Sequence, residues 1–528
     1  MSVSRTSALL AVAVATPVVA FASLLAPSPA SAVAVPGTAP GTVPGAVPAA
    51  VPGAVPGAVP GAVPGAVPGA VPGAVPGAVP GAVPGAAKGC PSFVAVASPY
   101  ATVNGKARAG SVTLYGSARN GLKPVKTLHQ GADGIGGAPE VNDSFGSAVA
   151  RGDFNGDGCG DLAIGVSEEF FGARVLDADG HGVVHILFGS PGGLTTVRSV
   201  DVTHLGRRHG TDRFGAALAA GDLDGDGDDE LIVGAPGMKG GGGVGVFGMS
   251  RRSPYGTGTL ITQATKWVHQ GQGQTDLFGE ALATGDFNRD GKAEIAIGAP
   301  GDGGEKASSG VVTIVDLRKR HAKAYTQNTG GVLGAVEKWD DFGATLATGD
   351  FNADGRDDLA IGVPGEDVSS KLTRGMDYGD GAVNVLYGSA GGLTTARSEM
   401  WTQSILAGTP RYYDRFGASL ATGDLNGDKD DELIVGAPGE GAVQVIAGTR
   451  TGGLTRNHNL LLTGDRTGAF GSAVLAEGGK LLVASPGSGR LTVVGTKVKK
   501  GSYPGAVPGT ARVVRTGDPD DLYGYALS

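Results

Sequence analysis

The sequence predicts an all-β fold: a seven-bladed β-propeller of four-stranded blades, closed by the C-terminal strand completing the first blade and preceded by a disordered Pro/Gly-rich segment. Three observations predict it. Glycine is the commonest residue, with 96 in 528, while aromatic residues make up only 5%, which implies many short strands and turns. Four signals recur in fixed order after Lys88, three of them in seven copies and an acidic loop in five. The copies are also out of phase at the two ends: the first repeat lacks its leading strand, and the last strand, Tyr523 to Leu527, has nothing after it. A ring uses that offset, because the final strand can complete the first repeat and leave no sheet edge exposed.

Residues 1–32 read as a secretory signal: Arg5, an apolar run from Ala8 to Ala26, and the small-residue site Ala30-Ser31-Ala32. Residues 33–89 are a low-complexity linker built on the four-residue repeat VPGA. It has no side chain able to build a core, and proline at every fourth position favours polyproline II and turns, so it is expected to act as a spacer. Residues 90–528 form the propeller. No later stretch is long and apolar enough to span a bilayer, so no transmembrane segment is expected once the signal is removed. Two cysteines, Cys90 and Cys159, suit an exported protein, and both precede equivalent strands of adjacent repeats, where one disulfide can form.

Each repeat opens on an aromatic-glycine pair: Phe145-Gly146, Phe214-Gly215, Phe278-Gly279, Phe342-Gly343, Phe416-Gly417, Phe470-Gly471 and Tyr523-Gly524. An acidic loop follows, then an apolar strand ending in Gly-Ala-Pro or a variant, as at Gly234-Ala235-Pro236, and then a Gly-x-Val-x-Val-type strand. Proline closes the second strand because it cannot donate to a sheet ladder.

The acidic loops carry the recognisable chemistry. Oxygen side chains stand at positions 1, 3, 5 and 9, with glycines allowing the tight path: Asp153, Asn155, Asp157 and Asp161; Asp222, Asp224, Asp226 and Glu230; Asp286, Asn288, Asp290 and Glu294; Asp350, Asn352, Asp354 and Asp358; Asp424, Asn426, Asp428 and Glu432. Position 7 offers its carbonyl oxygen, from Cys159, Asp228, Lys292, Arg356 and Asp430, so its side chain is free to vary. Hard oxygen donors at this spacing predict calcium, about five ions in all. The charge agrees. Net charge is −8, becomes −9 without Arg5, and five calcium ions would bring it to +1, which speaks for metal sites and against a surface for basic partners or nucleic acid. The sixth repeat has lost its loop, reading Ala476-Glu477-Gly478-Gly479-Lys480.

Aromatic-glycine, acidic loop and Gly-Ala-Pro in this order resemble the FG-GAP repeats of integrin α-subunit N-terminal propellers and their secreted bacterial relatives. The resemblance implies the same calcium positions, placed on the lower face, and partners met on the upper face by loops between strands 2 and 3 and between blades. Phe170, Phe171, Arg174, Trp339, Arg374, Tyr378, Tyr412 and Tyr413 are the candidate residues there. Arg151-Gly152-Asp153 spells the tripeptide that integrins recognise in ligands, but Asp153 is needed as the first metal ligand.

No Gly-x-Ser-x-Gly elbow occurs, and His181, His185, His204 and His209 form no recognisable metal or triad signature, although His181 and His185 could share a strand face. The expected function is therefore a non-catalytic binding or adhesion module for an extracellular protein or glycan. The alternatives are an extracellular hydrolase or lyase acting on a polymer, since propellers can assemble catalytic groups from separate blades, and a structural cell-surface spacer.

Overall fold

The structure, a computed structural model, describes residues 89–528 apart from 119–120, 173–178, 249–257, 304–307, 369–378, 407, 409, 412, 498–506 and 516–518. Residues 1–32, where a signal is expected, and the VPGA segment lie outside the described residues, as do Arg174, Arg374, Tyr378 and Tyr412.

Seven antiparallel sheets follow one another along the chain. Blades 2 to 7 occupy 145–200, 217–261, 281–325, 345–401, 419–463 and 474–515, and in each the four strands pair in chain order from the axis outward. Blade 1 has three strands of its own, Phe93–Ser98, Ser111–Ala118 and Gly121–Leu128. The C-terminus supplies the fourth: Ala95 N–H donates to Ser528 at 2.7 Å, Ala97 N–H to Ala526 at 2.9 Å, and Val96 bridges Leu527 antiparallel. Tyr523 then meets Tyr115, hydroxyl to hydroxyl, at 2.5 Å. The ring closes as its phasing predicts.

Strand composition follows radial position. The innermost strands are small and fully or almost fully buried, as in Ala217–Gly221 (ALAAG) and Thr345–Gly349 (TLATG), because the blades converge there. Threonines in this ring link neighbours: Thr284 Oγ1 donates to Ala220 O at 2.6 Å and Thr348 Oγ1 to Thr284 O at 2.8 Å. Second strands such as Asp161–Val166 and Glu432–Ala437 are buried on both faces and read as continuous apolar runs. The outer strands carry most of the solvent exposure, as Thr394–Trp401 does.

The hydrophobic core lies between blades. Seven clusters fill the seven interfaces, and each joins two consecutive blades, with the one around Val96, Leu482 and Leu527 sealing blade 7 to blade 1. The phenylalanine of each aromatic-glycine pair is a centrepiece: Phe145, Phe214, Phe278 and Phe342 are fully buried. The glycine after it adopts φ between 83° and 94° in all seven copies, a region that side chains avoid. Its carbonyl presses on the Gly-Ala-Pro glycine of the preceding blade: a Cβ on Gly234, Gly298 or Gly436 would stand 2.1 Å from the carbonyl oxygen of Gly279, Gly343 or Gly471. The two glycines of the motif are thus one backbone-to-backbone contact between blades.

Blade 7 lacks an acidic loop and joins its first two strands by Gly478 and Gly479, at φ of 55° and 68°, a two-residue hairpin turn. Among the described residues there is no α-helix, and so none long and apolar enough to cross a membrane.

Removing the Phe342 ring should cost about 3–5 kcal/mol, and Gly298→Ala, which must push two backbones apart, about 1–3 kcal/mol. Urea denaturation of Phe342→Ala and Gly298→Ala checks both. A change below about 1 kcal/mol in both would contradict the interblade assignment.

Candidate metal loops and the opposite face

In an antiparallel four-stranded blade, loops 1–2 and 3–4 leave one face, while loops 2–3 and the interblade connections leave the other. The acidic loops therefore share one face of the ring, and the unequal insertions share the opposite one.

Each loop is wound around its first aspartate. Asp153 accepts N–H bonds from Asp157 (3.0 Å) and Gly158 (2.7 Å), Asp286 from Asp290 (3.0 Å) and Gly291 (2.8 Å), and Asp350 from Asp354 (3.0 Å) and Gly355 (2.7 Å). Asp222 and Asp424 accept from Gly225 and Gly427 at 2.6 and 2.5 Å. Position 9 closes the loop by accepting the N–H of position 2: Asp161 from Phe154, Glu230 from Leu223, Glu294 from Phe287, Asp358 from Phe351 and Glu432 from Leu425, all between 2.8 and 3.2 Å. The position 2 side chains are buried plugs that anchor the loop in the core. Glu230, Glu294 and Glu432 make the same closure as the aspartates, so the longer arm is accommodated.

The loops also clasp one another, a role that the spacing of positions 1, 3, 5, 7 and 9 does not suggest. Position 8 of one loop reaches position 1 of the loop before it: Asp229 accepts the N–H of Asp153 at 2.8 Å, Asp357 that of Asp286 at 2.7 Å, and Asp431 that of Asp350 at 3.0 Å. Position 8 N–H groups return bonds to the position 1 carbonyls, including Ala293 to Asp222 at 2.9 Å. The signal was present as Asp at position 8 in three of the five loops. Lys292 Nζ and Arg289 Nη1 add bonds to Asp224 O and Asp354 O in adjacent loops, at 2.9 and 2.8 Å.

The electrostatics are one-sided. Burial, reinforced by neighbouring carboxylates, pushes the position 9 carboxyls up: Asp161, Glu230 and Asp358 to about 8, Glu294 to about 7 and Glu432 to about 9. The same causes carry Asp357 to about 7 and Asp431 to about 6. A cation suits such a donor set. Asp222, Asp224 and Asp226 hold oxygens within 4.8 Å of one another, as do Asp428, Asp430 and Glu432. Asn155 Oδ1 and Asp430 Oδ1 are buried and accept no hydrogen bond. Asp430 thus brings its side chain to the loop, where only its carbonyl was expected. Asn288, Asn352 and Asn426 instead donate their amides to the position 9 carboxylates, an N–H taking up the excess negative charge.

Cys90 and Cys159 are joined by a disulfide that ties the start of blade 1 to the first loop. Arg151 is engaged too: it donates to Phe93 O at 2.6 Å and pairs with Glu477 of blade 7 at 2.7 Å. With Asp153 bound by its own loop, the Arg-Gly-Asp tripeptide is structural.

On the opposite face, Phe170 is buried and packs on His181 at 5.0 Å between ring centroids, which removes it from the candidate contact residues. Phe170 lies in the loop after the strand Asp161–Val166, where a side chain can turn either way, and here the His181 ring takes it inward. Phe171, Trp339 and Tyr413 are exposed, by 43, 40 and 43%. His181 and His185 do not share a face: His181 precedes its strand and lies 5.4 Å from His209, ring to ring, while His185 is buried, bonds Ser199 at 2.8 Å and is held down to about 4 by burial.

Comparison with known proteins adds the family context. The FG-GAP repeat matches at 145–187, 214–247, 278–315, 342–386 and 416–453, the five blades that carry acidic loops. Phosphatidylinositol-glycan-specific phospholipase D of Bos taurus is 28% identical over 365 residues, 65% of this chain and 41% of that protein. Integrin alpha pat-2 of Caenorhabditis briggsae is 30% identical over 251 residues (44% of this chain, 18% of that one), and integrin alpha-8 of Mus musculus 31% over 241 residues (44% and 20%). The chain thus spans about two-fifths of the length of the phospholipase and about a fifth of the integrins.

The raised carboxyls predict a pH dependence for the metal-free chain. Their folded values lie above the ordinary 3.8 and 4.5, so the folded state binds more protons and their contribution to stability is lost as pH rises towards about 8. In chelator, the melting temperature should fall from pH 5 to pH 8, and Asp358→Asn, a neutral isostere, should flatten that fall. A melting temperature rising over this range would contradict the assignment.

Proposed function

Because the chain is an FG-GAP repeat propeller with integrin α-subunits among its homologues, we propose that it is an exported, calcium-stabilised binding module that meets an extracellular protein or glycan through the face opposite its acidic loops. The carrying observation is the recurrence of one oxygen pattern in five consecutive blades, clasped from loop to loop, while the insertions opposite differ from blade to blade. Regular loops suit scaffolding and irregular ones recognition.

The calcium ligands would be the side chains at positions 1, 3, 5 and 9 with the position 7 carbonyls, joined by Asp430 Oδ1 in the last loop. Calcium, when bound, supplies a fixed positive centre for carboxylates that otherwise retain protons or borrow amide N–H groups. The residues themselves hold the loop's shape through the position 1 and position 9 hydrogen bonds and pass it on through position 8. Export is supported by the signal-like residues 1–32 and by the disulfide, which persists in oxidising compartments. In this reading the VPGA segment is a spacer that sets the propeller away from whatever holds the chain.

The likeness to a phospholipase D, over 65% of this chain, favours a second reading in which the propeller serves hydrolysis of a phosphatidylinositol-glycan. Assay of lipid-anchor release separates it from the first.

With calcium in large excess over its dissociation constants, the melting temperature should stand several degrees or more above that in EDTA, since each site at about a hundredfold excess contributes about 2.7 kcal/mol. Metal analysis should find about five ions, and Asp358→Asn and Glu432→Gln should each remove about one. Equal melting temperatures with and without chelator would end the calcium reading. The binding half is tested by screening glycans and extracellular proteins with and without calcium, where a partner should be retained only by the calcium-loaded chain.

A further inference from the structure

On the insertion face, the residue three places before the phenylalanine of an aromatic-glycine pair is held left-handed in blades 2, 5 and 6: Asn142, Trp339 and Tyr413, at φ of 68°, 70° and 75°. For bulky aromatics this is a strained conformation. A backbone clamp maintains it. The next residue's carbonyl, of Asp340 or Asp414, accepts the N–H of Gly365 at 3.1 Å or Gly439 at 3.2 Å. Those glycines sit so close that a Cβ would stand 1.7 Å from Trp339 O and 1.5 Å from Tyr413 O. The clamp turns the aromatic side chain out of the core. Trp339 is 40% exposed, whereas Trp401 is buried and Trp267 packs partly against the core.

Trp339 borders an open cleft of about 650 Å³ over blade 4, whose other polar walls are Gln272, Thr275, Asp276, Asp302 and Ser308. Both carboxylates are fixed in advance: Asp276 accepts Gly273 N–H at 2.6 Å and Asp302 accepts Gln263 Nε2 at 2.9 Å. A flat indole beside rigid acceptors, an amide and hydroxyls complements a pyranose ring, whose C–H face stacks while its hydroxyls donate. Among the described residues no basic side chain lines the cleft, so an anionic sugar would meet the carboxylates of Asp276 and Asp302.

We propose that this cleft binds a neutral oligosaccharide, one ring stacked on Trp339 and its hydroxyls donating to Asp276 and Asp302. The inference rests on the binding-module reading and names its ligand class. A peptide arginine over the indole is the rival occupant. Two features favour the sugar: the cleft is larger than a guanidinium needs, and burial together with Asp276 raises the Asp302 carboxyl to about 6, which weakens it as an ion partner.

Tryptophan fluorescence and calorimetry on the full chain test this, with cellotetraose, chitotetraose and mannotetraose against a heparin tetrasaccharide and an arginine-containing peptide. At least one neutral tetrasaccharide should bind and shift the emission. Trp339→Ala should weaken it about tenfold or more and Asp302→Ala several-fold, at unchanged melting temperature, with Trp339→Phe retaining part of the affinity. The proposal is overturned if no neutral tetrasaccharide binds, if binding survives Trp339→Ala, or if only heparin or the peptide occupies the cleft. An extracellular protein partner whose binding survives Trp339→Ala, with no sugar bound, would overturn this inference and leave the binding-module reading standing. Failure of both ligand classes would remove both.

Discussion

The contact on which this structure depends is the approach of two glycines across each blade interface. Where the carbonyl oxygen of Gly343 lies against Gly298, a single methyl group would stand 2.1 Å from it, and the same contact recurs between Gly279 and Gly234 and between Gly471 and Gly436. It brings the inner end of one blade against the second strand of the blade before it. Phe342 and its equivalents can then fill the wedge that opens outward, and the interblade clusters follow from that fixed pitch. Packing alone would tolerate exchanges among apolar residues. A backbone-to-backbone contact tolerates none, which gives the aromatic-glycine and Gly-Ala-Pro signals one shared cause.

The acidic loops extend the same logic to one face. Position 1 organises the loop, position 9 closes it, position 2 anchors it in the core, and position 8 hands its geometry to the neighbouring blade through Asp229, Asp357 and Asp431. Carboxylates this crowded repel one another and lose hydration, so they either retain protons or gather around a cation. Blade 7 shows the fold's other solution. A glycine pair turns the chain there, and Glu477 neutralises Arg151 instead of joining a loop.

The opposite face is built on the same clamps but used differently. Gly365 and Gly439 fix the backbone before the buried phenylalanines, and the side chain at that point is turned outward, so its chemistry is set by residue choice without disturbing the core. A scaffold that is uniform beneath and variable on top separates stability from recognition. The strain held at Trp339 is tolerated because the backbone on both sides is already determined.

The strand order, the offset closure of the ring and the oxygen positions of five loops were legible in the sequence because each is a local pattern: strand periodicity, turn glycines and alternating donors within nine residues. What the sequence did not disclose depends on segments far apart along the chain. The carboxylates of Asp229, Asp357 and Asp431 find their partners 76, 71 and 81 residues away. Phe170 and Phe171 are adjacent, yet one is buried against His181 and the other exposed, since the loop's path and not its composition chooses the inward side chain. Trp339 stands beside acids contributed by the preceding blade. Repetition within the chain determined the ring, and only the closure of that ring decided which side chains meet across it.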